Sequence, residues 1–345
     1  MVEIDGAKGS GSGTIVRFAV TLSALLGRPL HLVNARQHRT RPGLRPQHVA
    51  AVRACAELCA AETKGLEVGA REFWFRPGSC IRGGTYEWDI GTAGSATMMA
   101  LSLLPFACLA EAPLSARLSG GVFQDFAPSP YHLQHVVAPL LSRMGATVEL
   151  RLLRPGYVPR GGGIVELDVV PVRDGLAALD LRKRGTVKTV YGVALSSHLE
   201  ERRVSERLAL SCAECLSVAG LSAEIERVTD TLSLQAGAGL AIWTESSTGC
   251  RLGADRAGAR GRSSEEIGRF VARQLLDDLA ADATIDRYAA DQVMGFAAVA
   301  GGVSHYVAPY RTKHLDGNLW LIRQFGVRAE CEGTCITIYG LGLRR

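Results

Sequence analysis

Val2-Glu3-Ile4-Asp5-Gly6-Ala7-Lys8-Gly9-Ser10-Gly11-Ser12-Gly13-Thr14-Ile15-Val16-Arg17-Phe18-Ala19 opens the chain as a strand, a glycine-serine turn and a helix. Val2 to Ile4 form the short strand and Gly6 to Gly13 the turn. The helix is predicted from Thr14 to Leu26, with Ile15, Val16, Phe18, Ala19, Leu22, Leu25 and Leu26 as its apolar face and Gly27 as its stop. The same unit returns downstream. Tyr86 to Ile90 is a strand, Gly91 to Ser95 a turn, and Ala96 to Leu104 a helix that Pro105 is expected to end. A third, weaker copy runs through Ser119-Gly120-Gly121 into a helix from Tyr131 to Met144. Such units are too small to bury their apolar faces alone, so they are expected to stack.

The middle of the chain breaks this rhythm. Val187 to Leu195 alternates as a strand, Glu201 to Ala219 is helical, Ser222 to Val228 and Leu232 to Thr244 read as strands, and Ser263 to Leu279 is a helix with a capping pattern. A helix around Asp286 to Ala300, a loop through His314, a helix from Leu315 to Phe325 and closing strands follow. The predicted fold class is α+β. Repeated α/β folding units form a large domain over 1–184 and 281–345, and a smaller α+β domain is inserted over 185–280.

Composition sets the outer bounds. A chain of 345 residues with 47% hydrophobic and 21% charged residues is globular and large enough for more than one core. It has no apolar run long enough to span a membrane, and Met1-Val2-Glu3-Ile4-Asp5 lacks the basic start and apolar centre of an export signal. A cytoplasmic location is therefore expected. The nine cysteines include Cys212 and Cys215 on an amphipathic helix, and they read as buried thiols rather than as a zinc or disulfide framework. A net charge of +5 permits a nucleic-acid partner without requiring one.

Four segments could carry chemistry. The turn before Thr14 could cradle an anion at a helix start, although it lacks the Gly-Lys-Ser/Thr ending of a Walker loop. Arg36 to His48 holds four arginines and two histidines in 13 residues, and its prolines and glycine predict a loop throughout. A phosphate pocket and a solvated basic loop both fit it, with Arg17 able to point the same way. His314, which follows Arg311 and Lys313, has its neutral form favoured by nearby positive charge, and a neutral imidazole can attack phosphorus, although a lone histidine is more often structural or an exposed cap. Pro159-Arg160-Gly161-Gly162-Gly163 permits a close backbone approach to a ligand or to another strand.

Together these segments resemble the RNA 3′-terminal phosphate cyclase family. The similarity is carried by Asp5-Gly6 with its turn ending Ile15-Val16-Arg17, by Arg36, Arg39, Pro42-Gly43-Leu44 and Gln47-His48, and by Ile90 to Ser95. It continues through Ser119-Gly120-Gly121, Ala127-Pro128, Gly156 to Gly163, Tyr288 with Asp291-Gln292, and His314-Leu315 with Asn318. The resemblance implies three repeated units with an inserted domain, and a histidine that takes AMP from ATP to make a 2′,3′-cyclic phosphate at an RNA 3′-phosphate end. It implies His314 as nucleophile, Tyr288, Asp291, Gln292 and Pro128 around ATP, and Arg17, Arg36, Arg39 and Gln47 on the phosphates or RNA terminus. ATP and a divalent cation, Mg²⁺ or Mn²⁺, are the implied cofactors. The chain departs from the family pattern at Ser10, where a metal-binding glutamate is usual, and at Leu101, where a glutamine is. It departs also at Leu252 (an aromatic), Pro155 (a basic residue) and Tyr131 (an aspartate). A non-catalytic cyclase-like RNA-binding or ribosome-assembly protein is the alternative. An enolpyruvyl-type transferase shares the stacked modules but needs no nucleophilic histidine.

Overall fold

The computed structural model describes residues 1–344. The first unit runs β1 (Val2–Asp5), α1 (Gly13–Leu25), β2 (Leu30–Val33), α2 (Pro46–Leu58), β3 (Glu62–Lys64) and β4 (Phe73–Arg76). Its strands lie in the order β1-β2-β4-β3, with β1 and β2 parallel and the other pairs antiparallel. A parallel neighbour requires a crossover, which α1 supplies, and the helix is thereby pressed onto the sheet.

The second unit repeats this plan. It comprises β5 (Gly84–Asp89), α3 (Ala96–Cys108), β6 (Leu114–Gly120), a helical stretch made of α4 (Pro130–His132), a π-turn (Leu133–Val137) and α5 (Ala138–Arg143), then β7 (Thr147–Arg154) and β8 (Gly163–Val170). Its order is β5-β6-β8-β7. The third unit begins with β9 (Asp180–Leu181), and the chain then leaves it. Between come β10 (Thr189–Ser197), α6 (Val204–Val218), β11 (Ser222–Asp230), β12 (Gly237–Glu245), β13 (Arg251–Ala257) and α7 (Ser264–Ala280). Their sheet has a different order, β11-β10-β12-β13. The third unit resumes with α8 (Ala289–Gln292), α9 (Met294–Val299), β14 (Gly301–Val307), α10 (Lys313–Gln324), β15 (Arg328–Glu332) and β16 (Cys335–Leu341). Its order, β9-β14-β16-β15, reproduces the first two. The α+β fold is thus three copies of one unit plus a sheet of another design.

α1 lies at the centre of the stack, with every residue from Thr14 to Leu25 buried. It packs against α2, α3 and α10. A helix buried all round carries no solvent face for a charge, so Arg17 on α1 is forced into the interior.

Several boundaries differ from expectation. α3 continues through Pro105 to Cys108, because a proline removes one backbone bond while apolar burial on all sides holds the helix together. The basic run is not a loop throughout: α2 starts at Pro46, a residue well suited to a first helical position. Gln47 and His48 therefore belong to its first turn. The expected helix over 286–300 is two short helices meeting at Val293. β12 starts at Gly237 rather than Leu232, since Asp230 and Ser233 fold residues 230–235 into a side-chain-bonded turn. His314 is helical too, in the first turn of α10, whose N-cap Thr312 accepts a bond from the Leu315 amide at 3.0 Å.

No helix among the described residues is long and apolar enough to cross a membrane. All nine cysteines are free thiols, and Cys55, Cys59, Cys108, Cys212 and Cys250 are buried.

Candidate active site

The turn after β1 is fixed by its own backbone. Asp5 accepts from the Ala7 amide at 3.0 Å and from Asn34 at 3.1 Å, and the Gly11 amide reaches the Lys8 carbonyl at 3.0 Å. Gly9 is left-handed (φ 58°), and a Cβ there would lie 2.6 Å from the Gly317 Cα on α10. Only glycine lets the turn and α10 touch. That contact brings the two ends of the chain together. His314 Nδ1 lies 3.3 Å from both Ser10 Oγ and Ser12 Oγ, and Ser10 donates to Ser12 at 2.8 Å. Ser12 also caps α1, accepting from the Thr14 amide at 3.3 Å. Nε2 of His314 has no hydrogen bond from a described protein residue. Burial, then Arg39 and Arg17, hold the His314 imidazole below the ordinary histidine range, so the neutral ring is favoured.

Beneath His314 runs a buried polar chain. Arg17, 6% exposed, donates to Gln292 at 3.1 Å, and Gln292 donates to Asp291 at 2.7 Å. Burial lowers Arg17 to about 10, with Asp291 opposing the shift. Burial also pushes the Asp291 carboxyl up to about 7, against the Gln292 bond and the Arg17 charge. Nε of Arg17 has no partner, an open donor in the interior. Asn318 on α10 bonds the Asp291 carbonyl at 3.2 Å, tying this chain to the helix that carries His314.

The other arginines divide by task. Arg36 braces its loop, donating to the carbonyls of Arg41 at 2.9 Å and Gly43 at 2.8 Å. Arg39 is exposed. Gln47 is bound to the second unit, accepting from the Ser95 amide at 3.1 Å. His48 reports the local field: burial first, then Arg36, Arg17, Arg45 and Arg39, depress it to about 3. The field around His48 is therefore positive.

A cavity of about 380 Å³ opens from His314. Small-ligand pockets run from about 300 to 1,000 Å³. His314, Tyr288, Asp291, Gln292 and Pro128 all line it. Arg17, Arg36, Arg39 and Gln47 do not; Arg17 reaches it through Gln292, and Arg39 through its field on His314. Tyr288 is oriented by Gln274, which donates to its hydroxyl at 2.6 Å. Sequence reasoning missed Phe126, Asp255, Arg256 and Phe270 on the walls. Only an apolar residue inside the Gln124-Asp125-Phe126-Ala127-Pro128 loop hinted at the first. Leu252 and Leu101 are 0% and 4% exposed, on β13 and α3, so neither side chain faces the cavity. The Phe270 ring, with the Arg256 guanidinium 3.7 Å above it, supplies an aromatic wall instead.

A junction supports the floor. His132 of the second unit and Asp286 of the third pair at 3.1 Å, and Asp286 also accepts from the amides of Gly253, Tyr288 and Ala289. Burial works against the charged imidazole, but the Asp286 charge and hydrogen bond raise His132 above its usual value, while Asp286 is held below the usual carboxylate range. The backbone carrying Tyr288 is thus fixed by a buried ion pair.

The residues around His314 do not compose a cation site of their own. No group of three or more His, Cys, Asp or Glu able to hold a metal occurs among the described residues. At position 10 a hydroxyl stands beside the imidazole, a poor ligand for a hard divalent ion.

The sequence profile of the RNA 3′-terminal phosphate cyclase family matches residues 8–331. Proteins named RNA 3′-terminal phosphate cyclase from Methanopyrus kandleri and Pyrococcus furiosus are each 38% identical to the chain. The first alignment covers 96% of both chains, the second 94% of this chain and 93% of its relative. The protein of that name from Nitrosospira multiformis is 36% identical, covering 94% and 91%.

Proposed function

The chain belongs to the RNA 3′-terminal phosphate cyclase family, and from that premise we propose that it closes RNA 3′-phosphate ends to 2′,3′-cyclic phosphates at the expense of ATP, through AMP carried on His314. The observation that carries this reading is a neutral-leaning imidazole, with Nδ1 braced by two serines, at the end of a cavity of nucleotide size. With Nδ1–H donating to the serine oxygens, Nε2 holds the lone pair and attacks the α-phosphorus. A phosphoramidate bond forms, the bond to the β-phosphate oxygen breaks, and pyrophosphate leaves. An RNA 3′-phosphate oxygen then attacks the same phosphorus, displacing the histidine. The neighbouring 2′-hydroxyl attacks the activated 3′-phosphorus, loses its proton, and AMP departs.

Each family residue has work that fits its place. Tyr288 and Pro128 flank the base, and Gln292 with Asp291 sets its edge. Arg39 and Arg17 supply positive charge that offsets the negative charge spread over the equatorial oxygens during transfer, where positioning and electrostatics give most of the rate. Arg36 shapes the loop that holds Arg39, and Gln47 fixes that loop to the second unit. ATP would bring any Mg²⁺ or Mn²⁺ on its own phosphate oxygens, because Ser10 offers only a hydroxyl.

Incubation with ATP labelled at the α-phosphate should give acid-labile labelled protein, and His314→Asn should give none. Unlabelled wild-type protein with both Mg²⁺ and Mn²⁺ would overturn the reading and favour the non-catalytic RNA-binding alternative.

A further inference from the structure

A second hollow, of about 770 Å³, adjoins the first. It lies between the Tyr157–Arg160 segment, the start of α6, and the loop leading into α7. Five arginines line it (Arg160, Arg202, Arg207, Arg260 and Arg262), and no Asp or Glu does. Two of the five are already engaged: Arg207 pairs with Glu265 at 2.7 Å, and Arg262 with Asp125 at 2.6 Å. Arg160 gives one nitrogen to the Leu234 carbonyl at 3.0 Å. Arg202 and Arg260 are exposed, and neither has a side-chain partner among the described residues. Gly237, Ala238 and Gly258 form part of the lining, so the floor is smooth and low.

Arg262 is a wall of both hollows, and its two bonds to Asp125 hold the next residue at their junction. That residue is Phe126. It lines the nucleotide cavity, its side chain is fully exposed, and its backbone is left-handed at φ 65°. An aromatic residue rarely adopts that conformation, and such strain gathers where a ligand is clamped. Non-specific single-strand sites combine these same parts, a cationic groove along the phosphates and an aromatic face for a base. A neighbouring hollow on the other side of α7 is less suitable, because Glu266 and Asp277 stand among its arginines.

We propose that the hollow bounded by Arg160, Arg202 and Arg260 seats the single-stranded RNA upstream of its 3′ end, with one base stacked on Phe126. This rests on the cyclase reading only in identifying the polyanion as RNA. The strand that ends in the first cavity continues past Phe126, and its phosphodiesters lie against the unpaired guanidiniums.

Binding of a 5′-labelled, 3′-phosphorylated RNA of about twelve nucleotides is measured by anisotropy across a salt series, beside adenylylation by ATP alone. Arg202→Glu with Arg260→Glu should weaken binding about tenfold or more and flatten the slope of log K against log salt by roughly 1.4. Phe126→Ala should weaken it about fivefold with the slope unchanged. The Arg202/Arg260 variant should be adenylylated at the wild-type rate, which also shows that it is folded, and the Phe126 variant should keep the wild-type midpoint in urea unfolding. Arg269→Glu with Arg273→Glu, on the other side of α7, should bind as wild type does. Unchanged affinity in the Arg202/Arg260 variant overturns the proposal, as does an equal loss in the Arg269/Arg273 variant. Equal competition by polyglutamate would also overturn it, showing a general polyanion surface. A wild type that binds RNA through these arginines but accepts no AMP refutes the cyclase reading and leaves the groove standing.

Discussion

Protonating His314 would add a third positive charge beside Arg17 and Arg39 in a half-buried place, so the ring stays neutral to lower pH than a free histidine. The acid limb of the adenylylation profile is therefore expected below the ordinary histidine value of about 6.5. Arg39→Ala removes one repelling charge and raises the His314 pKa, so the limb should move toward higher pH whatever happens to the maximal rate. A limb that does not move would show that Arg39 has no electrostatic hold on His314. Ser10→Ala with Ser12→Ala takes both oxygens from Nδ1. Adenylylation should slow by about tenfold or more, since an unbraced ring loses both tautomer and orientation, and nitrogen NMR of His314 should show mixed tautomers. Tyr288, Asp291, Gln292 and His314 could be named from the sequence because they sit in short motifs that resemble the family's, Tyr288 with Asp291-Gln292 and His314 with Asn318. Phe270 was not, since on α7 it looks like any apolar helix residue until β13 sets Arg256 above it.

At the scale of elements, the touch between the glycine turn and α10 decides whether His314 meets its two serines. Gly9→Ala adds a carbon 2.6 Å from Gly317 at a left-handed position. It should cost about 1–3 kcal/mol in urea unfolding, and it should reduce adenylylation beyond what lost stability explains, because Ser10 and Ser12 move away from the ring. Strand-turn-helix units were read correctly where a strand, a glycine turn and an apolar helix followed in direct succession. The antiparallel β3–β4 pair and β13 escaped notice: β3 is three exposed residues, and β13 (Arg251–Ala257) is rich in Gly, Ala and charge. Prolines misled in both directions. Pro46 starts a helix inside a run that looked like loop, and Pro105 fails to stop one that packing sustains.

For the whole molecule, the buried His132–Asp286 pair couples the second unit, the third unit and, through Gly253, the inserted sheet. His132→Ala leaves Asp286 charged in the interior and should cost about 3 kcal/mol near neutral pH. The raised His132 contributes fully below the unfolded value of about 6.5, and that contribution disappears as pH rises through its folded pKa. The depressed Asp286 contributes above about 3.8 and is lost as pH falls through its own. Wild type and variant should therefore converge in stability toward alkaline pH, and a constant gap measured by denaturant across that range would refute the ion pair. The repeat plan was visible in the sequence, whereas this junction was not, because residues 132, 253 and 286 share no motif and meet only after the units stack.

The serines beside His314 come from positions 10 and 12, and the ring itself from some 300 positions later. A ribosome making this chain releases the cradle well before the imidazole. Truncation within the final unit at any point before Lys313 therefore leaves both serines in place without the imidazole that they face.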